Sequence, residues 1–302
     1  AGHYVKRSKR QIGFEIGEYD KSIPLVIDPV LDYSTYVGGT GNDLANGLAV
    51  DAAGNAYVAG HTVALNFPTT PGSYRPGNSG LNEVFVSKLN SSGTGLIYST
   101  YIGGTNNDHV GDLAVDIAGN AYFTGYTQSA NYPTTAGAFQ TSASVAFDAF
   151  VTKLNATGSG LVYSTYLSGN SSDEAWGIAL DASNNAVITG LTSSSNFPVT
   201  GGAFQTAHGG NSDVFLLKLN PTGSGLVFST YMGNTVPAFS ANDSGRRVAL
   251  DTSGNIYITG STASTTFPAS PGAFQTSNAG ASDIIVAKFG PAGARIYSTY
   301  LG

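Results

Sequence analysis

Short runs of alternating side chains, separated by polar glycine-rich stretches, make up most of this chain. In residues 161–167, Leu161, Tyr163 and Thr165 alternate with Val162, Ser164 and Tyr166. Period-two alternation with β-branched and aromatic residues predicts a strand. Apolar or aromatic side chains on both of its faces predict a sheet covered on both sides. Helical periodicity is missing over any useful length, and Gly and β-branched residues oppose helix throughout.

The pattern repeats in register. Ser-Thr-Tyr ends at Tyr36, Tyr101, Tyr166, Tyr231 and Tyr300, in steps of 65, 65, 65 and 69. An Asp follows an apolar run at Asp51, Asp116, Asp181 and Asp251, and an aromatic-Pro pair recurs at Phe67-Pro68, Tyr132-Pro133, Phe197-Pro198 and Phe267-Pro268. The longer last step reflects an insertion around residues 236–240, before Asn242. In the second copy the predicted strands are 112–115, 121–125, 148–154 and 161–167. The Gly119-Asn120 turn and the Gly158 and Gly160 turn reverse the chain, because Gly and Asn tolerate positive φ. A repeated unit of four antiparallel strands predicts an all-β fold, a β-propeller built of four-stranded antiparallel blades. The full repeats span 38–101, 102–166, 167–231 and 232–300, within a propeller region 38–302. Residues 1–37 form an N-terminal strand segment.

The strand count is unequal. Strand four occurs five times and strands one to three four times. The surplus copy, residues 31–37, follows two strand-like runs at 12–18 and 24–27. An unpaired strand is a template for another chain, so Leu31, Tyr33, Thr35 and Tyr36 are candidate assembly residues. The strand could pack on an edge, complete a blade in a neighbouring molecule, or mark where a longer array was cut.

Composition narrows the class. Charged residues make up 11% of the 302, the net charge is −6, and there are 40 Gly and no Cys. No disulfide or Cys-based zinc site is available. A basic footprint for nucleic acid is missing over the body of the chain, and Lys6, Arg7, Lys9 and Arg10 read as a solvated tail. No apolar run is long enough for a membrane-spanning helix. Cys-free, low-charge repeats rich in Thr, Asn and Gly suit an exported bacterial protein, secreted or on the cell surface. The start at Ala1, without an apolar leader, reads as a processed product or an excised fragment.

Several segments resemble the bacterial β-propeller repeats of the SBBP (seven-bladed β-propeller) family. They are Tyr33-Ser34-Thr35-Tyr36-Val37-Gly38-Gly39, the hairpin from Val50-Asp51 to Gly54-Asn55-Ala56-Tyr57, and Asp148-Ala149-Phe150-Val151-Thr152-Lys153-Leu154-Asn155. The stretch from Gly13-Phe14-Glu15 to Asp28-Pro29 is similar to the segment preceding such repeats in large secreted proteins. The resemblance implies export and a propeller; it does not imply a catalytic activity. Four complete units stand here where the family name has seven.

Candidate chemistry is sparse. His3, His61, His109 and His208 fall at non-equivalent places and read as surface or loop residues. No HExxH, GxSxG or Walker pattern occurs. Twelve of the nineteen acidic residues occupy three repeated positions. Asp43, Asp108, Asp173 and Asp243 precede strand one, near the expected channel mouth, and are the candidate ligands for a hard cation such as Ca2+. The alternative is that each caps its own loop, and no cofactor is otherwise indicated. Asp51, Asp116, Asp181 and Asp251 read as Asx turns. Glu83, Asp148, Asp213 and Asp283 stand five residues before Lys88, Lys153, Lys218 and Lys288, a spacing that suggests pairing between blades. Phe67, Tyr74, Phe139, Phe204 and Phe274 read as anchors pinning the long connection to its blade. Trp176, Arg246 and Arg247 break the repeat symmetry and are the candidate ligand-binding residues. The expected function is an extracellular structural or interaction protein that self-associates or adheres through strand edges, with a filament subunit as one version. Its expected partners are itself or another extracellular protein or glycan. The alternatives are a glycan- or cell-wall-binding module and a polysaccharide-active lyase or hydrolase.

Overall fold

A computed structural model describes residues 2–8, 11–16, 22, 32–144, 147–234 and 242–302. Among them every regular element is a strand, and no helix is long and apolar enough to cross a membrane. Two compact units divide the chain, Ala1–Ser34 and Thr35–Gly302. In the first, β1 (Gly2–Ser8) pairs antiparallel with β2 (Gln11–Ile16). The run expected at 12–18 therefore appears as β2. The run at 24–27 and Leu31 lie outside the described residues.

The second unit holds four antiparallel sheets of four strands. Sheet one is β3 (Asp43–Val50), β4 (Ala56–Thr62), β5 (Glu83–Leu89) and β6 (Leu96–Ile102). Sheet two is β7 (Asp108–Val115), β8 (Ala121–Thr127), β9 (Asp148–Leu154) and β10 (Leu161–Leu167). Sheet three is β11 (Asp173–Leu180), β12 (Ala186–Thr192), β13 (Asp213–Leu219) and β14 (Leu226–Met232). Sheet four is β15 (Asp243–Leu250), β16 (Ile256–Thr262), β17 (Asp283–Phe289) and β18 (Arg295–Leu301). Strands three and four of the second repeat match their expected bounds. Strand one starts earlier, at Asp108, and strand two runs on to Thr127.

The core lies between sheets. Tyr57, Val84, Val86 and Tyr98 of sheet one pack with Leu113, Phe123 and Phe150 of sheet two. Tyr122, Val151 and Tyr163 pack with Ile178, Ile188 and Phe215. Val187, Leu216 and Phe228 pack with Ile256, Ile258 and Ile285. Each middle sheet is covered on both sides, which explains its two-faced apolar pattern. Contacts join sheet one to two, two to three and three to four, mainly through the first strands. Among the described residues no comparable contact joins sheet four to sheet one, so the array is open.

Each first strand carries a β-bulge, at Asn46, Gly111, Trp176 and Arg246. A bulge pushes backbone toward the partner strand, and a glycine stands opposite it. A Cβ on Gly125 would lie 1.8 Å from the His109 carbonyl oxygen. The Asx turns are as expected: Asp51 accepts the Asn55 backbone N–H at 2.9 Å, and Asn184 takes φ 60 where the other repeats have Gly54, Gly119 and Gly254.

The surplus copy of strand four forms no strand within residues 32–37. Tyr33, Thr35 and Tyr36 lie in chain with no strand pairing, and all three are exposed. Strand four elsewhere pairs with strand three of its own repeat, as β6 does with β5. No third strand precedes residues 32–37 among the described residues.

The bulge requirement is testable. Gly125→Ala should destabilise the protein by at least about 2 kcal/mol, the scale of overpacking. Gly201→Ala, with nothing within 4 Å of its added Cβ, should leave the melting temperature within about 2 °C. Equal melting temperatures for the two variants would refute the explanation.

Candidate functional site

The repeated aspartates open the first strand of each sheet. The side-chain oxygens of Asp43, Asp108 and Asp173 accept the backbone N–H groups of Gly39 (2.8 Å), Gly104 (2.7 Å) and Gly169 (2.7 Å). Asp243 accepts that of Asn234 at 3.1 Å. The last threonine of strand two adds a hydroxyl bond in three sheets, Thr62 to Asp43, Thr127 to Asp108 and Thr262 to Asp243. Burial pushes Asp108 and Asp173 up to about 6 and Asp243 up to about 7, against these bonds. A carboxylate of the preceding sheet adds to each rise: Glu83 for Asp108, Asp148 for Asp173, Asp213 for Asp243. Among the described residues no three His, Cys, Asp or Glu side chains gather where they could hold a metal ion. The four aspartates are separate fasteners, each closing its own loop.

The lysine pairing differs from the sequence expectation. Lys88, Lys153 and Lys218 bond the turn aspartates of their own sheets, Asp51 (3.1 Å), Asp116 (3.4 Å) and Asp181 (3.2 Å), and Lys288 approaches Asp251 at 3.9 Å. Cross-strand register explains this. Lys153 stands opposite Tyr122 on strand two, and its ammonium lies 4.6 Å from that ring, one short step from the turn. Burial alone would raise Asp116 and Asp181. The bonds from Asn120 and Asn185 and the nearby lysines hold both below the usual carboxylate range. The acids expected to pair with lysine instead pin the long connection of their own repeat. Glu83 meets Arg75 at 2.7 Å, Asp213 accepts the Gly209 N–H at 2.8 Å, and Asp283 accepts that of Ala279 at 2.8 Å.

Trp176, Arg246 and Arg247 come together. Trp176 and Arg246 are bulge residues of adjacent sheets, and the bulge turns both side chains out of the strand alternation. The Arg246 guanidinium lies 4.8 Å from the Trp176 ring, and Arg247 Nη1 donates to the Trp176 carbonyl at 2.7 Å. The cluster continues through Tyr126, 5.5 Å from Trp176, to His109, stacked on Tyr126 at 4.8 Å, and to His61, 4.3 Å from His109. This row crosses all four sheets. Burial lowers both histidines, His109 to about 4 with help from the charge of His61. At neutral pH they are uncharged rings and weak bases. The sequence reading missed the histidines because they occupy different repeat positions. The signal lay in the register, since His109 pairs across strands with Tyr126 just as Leu44 pairs with His61. His208 stands apart, with Nε2 3.1 Å from the Thr192 carbonyl.

The long-connection aromatics do more than anchor their own blade. Phe67 stacks on Phe85 of its own sheet at 4.2 Å. Tyr74 and Phe139 reach the following sheet, each donating its backbone N–H at 2.8 Å, to the Gly158 and Gly223 carbonyls.

Two sheet faces are uncovered. Leu113 and Ile178 are 5% and 4% exposed against the preceding sheet, whereas the equivalent Leu48 is 68% exposed. At the other end Ile284 is 49% exposed, where its equivalents Val84, Ala149 and Val214 are fully buried against the next sheet.

A family model described as Beta-propeller repeat, SBBP, matches residues 32–68, 97–133 and 227–268. Those three segments are similar to SBBP repeats. Each match runs from a Ser-Thr-Tyr segment to the next aromatic-Pro pair, so the second and third straddle neighbouring sheets. No curated protein matches the chain. Solved structures similar to it include a GH43_1 enzyme from Xanthomonas citri (12% identity, TM-score 0.40, 89% of this chain and 75% of that one). Others are a putative gluconolactonase (11%, 0.36, 88% and 80%) and a bifunctional GH43-CE protein of Bacteroides eggerthii (12%, 0.37, 87% of this chain). This chain spans only 28% of the length of the last. Such likeness assigns no activity.

The buried carboxyls give a pH prediction. The folded-state pKa of Asp243 is raised, so its contribution to stability is complete below about pH 4 and lost as pH rises through about 7. Asp243→Asn keeps a neutral group there. Between pH 4 and pH 8 the wild-type melting temperature should fall relative to the variant by roughly 5 °C. A constant difference, or one of opposite sign, would show that the buried carboxyl is not the cause.

Proposed function

We propose that this chain is an exported, non-catalytic scaffold that works by protein–protein contact through its blade faces. The observation that carries the reading is the pair of uncovered faces, where Leu48 is exposed though Leu113 and Ile178 are buried, and Ile284 is exposed though Val84, Ala149 and Val214 are buried. The repeated acids support it, since hydrogen bonds within their own repeats engage them. Sparse charge and the absence of Cys fit an extracellular setting.

Leu48, Val50, Ile284, Tyr297 and Phe274 are all exposed large apolar residues at the two ends, and burying them against a partner is favourable.

A second reading, glycan binding, draws on the Trp176–Arg246 pair. Sedimentation of the intact chain at tens of micromolar should reveal species heavier than the 30.9 kDa monomer, unchanged by Trp176→Ala. A strictly monomeric protein retained on polysaccharide, with retention lost in Trp176→Ala, would replace the contact reading with the glycan one.

A further inference from the structure

We infer that the exposed face of sheet four docks the exposed face of sheet one in a second copy of this chain, head to tail. The inference rests on the contact reading above and names its partner.

The three internal junctions supply the template, because each uses the same repeat positions. A large apolar residue of the incoming first strand enters the preceding sheet. Leu113 packs among Tyr57, Ala59, Val84 and Val86, and Ile178 among Tyr122, Ala149 and Val151. Leu48 is the equivalent residue of sheet one and is 68% exposed. The receiving equivalents on sheet four are Tyr257, Thr259, Ile284 and Val286. A groove of about 180 Å³ opens there, lined by Val248, Ala249, Tyr257, Ile258, Thr259 and Val286 and flanked by Arg247.

Two further contacts follow the same register. The glycine of each turn between strands three and four packs on a ring of the preceding sheet. A Cβ on Gly158 would lie 2.4 Å from Tyr98, one on Gly223 would lie 2.4 Å from Tyr163, and one on Gly293 would lie 2.7 Å from Phe228. The unmatched ring is Tyr297, 37% exposed, and the turn glycine left over is Gly93, with φ +67. The connection aromatics Tyr74 and Phe139 bond the next sheet's turn, whereas their equivalent Phe274 is 84% exposed. Knob, turn glycine and connection aromatic are each missing one partner at one end and offered at the other. A surface that repeats an internal junction this closely is continuous with an established interface, and head-to-tail contact between copies is the heterologous mode of assembly. Among the described residues the three junctions leave sheet four apart from sheet one, and the inference assigns the matching face to a second copy.

One difference sets the strength of the contact. Gly47, Gly111 and Gly177 let consecutive first strands approach closely; a Cβ on Gly47 would lie 2.6 Å from Leu113 Cβ. Sheet four has Arg246-Arg247 at these positions. Arg246 lies on the Trp176 ring and Arg247 donates to the Trp176 carbonyl of sheet three, while Arg247 also borders the groove and holds the incoming strand farther off. The junction between copies is therefore looser than those within the chain.

The test uses Leu48→Asp and Ile284→Asp, each at an exposed position and each first shown to keep the wild-type melting temperature. Masses are read by light scattering after size exclusion, at concentrations where the wild type is sedimented. Each variant alone should run as a monomer. An equimolar mixture should form a one-to-one complex of twice the monomer mass, because each keeps the face the other lacks. Single variants that still assemble, or a mixture that stays monomeric while the wild type associates, would overturn the head-to-tail contact and leave the broader contact reading standing. A wild type that is itself monomeric would overturn both.

Discussion

Each four-stranded sheet is apolar on two sides, so none of the four completes its core alone. Packing of one sheet on the next is the interaction on which everything else depends. It buries Tyr57, Val84 and Val86 under Leu113, and Tyr122 and Val151 under Ile178. Apolar burial is non-directional, so register must come from elsewhere. Here it comes from close backbone approach at Gly47, Gly111 and Gly177 and from turn glycines seated on aromatic rings. Stability of this kind is a sum over repeats and the interfaces between neighbours. The end sheets then carry one unsatisfied face each.

The polar devices serve that packing. Buried carboxyls fasten loops at the start of each first strand, and turn aspartates hold lysines beside the rings of strand two. A buried acid is tolerated only when hydrogen bonds replace its water. These acids have such bonds, and burial still raises several of them. The ring row from His61 to Arg246 stitches the sheets on one side through contacts that occupy the rings with one another.

Much of this was legible in the residues. Repeat period, strand bounds in the third and fourth strands, and Asx turns all follow from local pattern, and local pattern survives folding when tertiary contacts agree with it. The early start of strand one was hidden, because the bulge at Gly111 breaks the alternation that marks a strand. Lysine partners were misread because strand spacing alone does not tell which turn lies within reach; cross-strand register decides it. The clustering of Trp176 with Arg246 was anticipated only as broken symmetry, since nothing in one strand reveals what the next sheet places beside it. The surplus Ser-Thr-Tyr run near Tyr36 had every mark of a strand and lacked only a partner, which sequence pattern does not record.

The central claim is that the outer faces of sheets one and four are junctions awaiting a partner of their own kind. Amide hydrogen exchange over equivalent strands, in dilute and in concentrated protein, reads this directly. Exchange in β3 and across β17 and β18 should be fast on dilution and should slow with concentration toward that of β7 and β11 and of β9 and β10, while the inner sheets stay unchanged. Exchange in the end sheets that is independent of concentration would contradict the account.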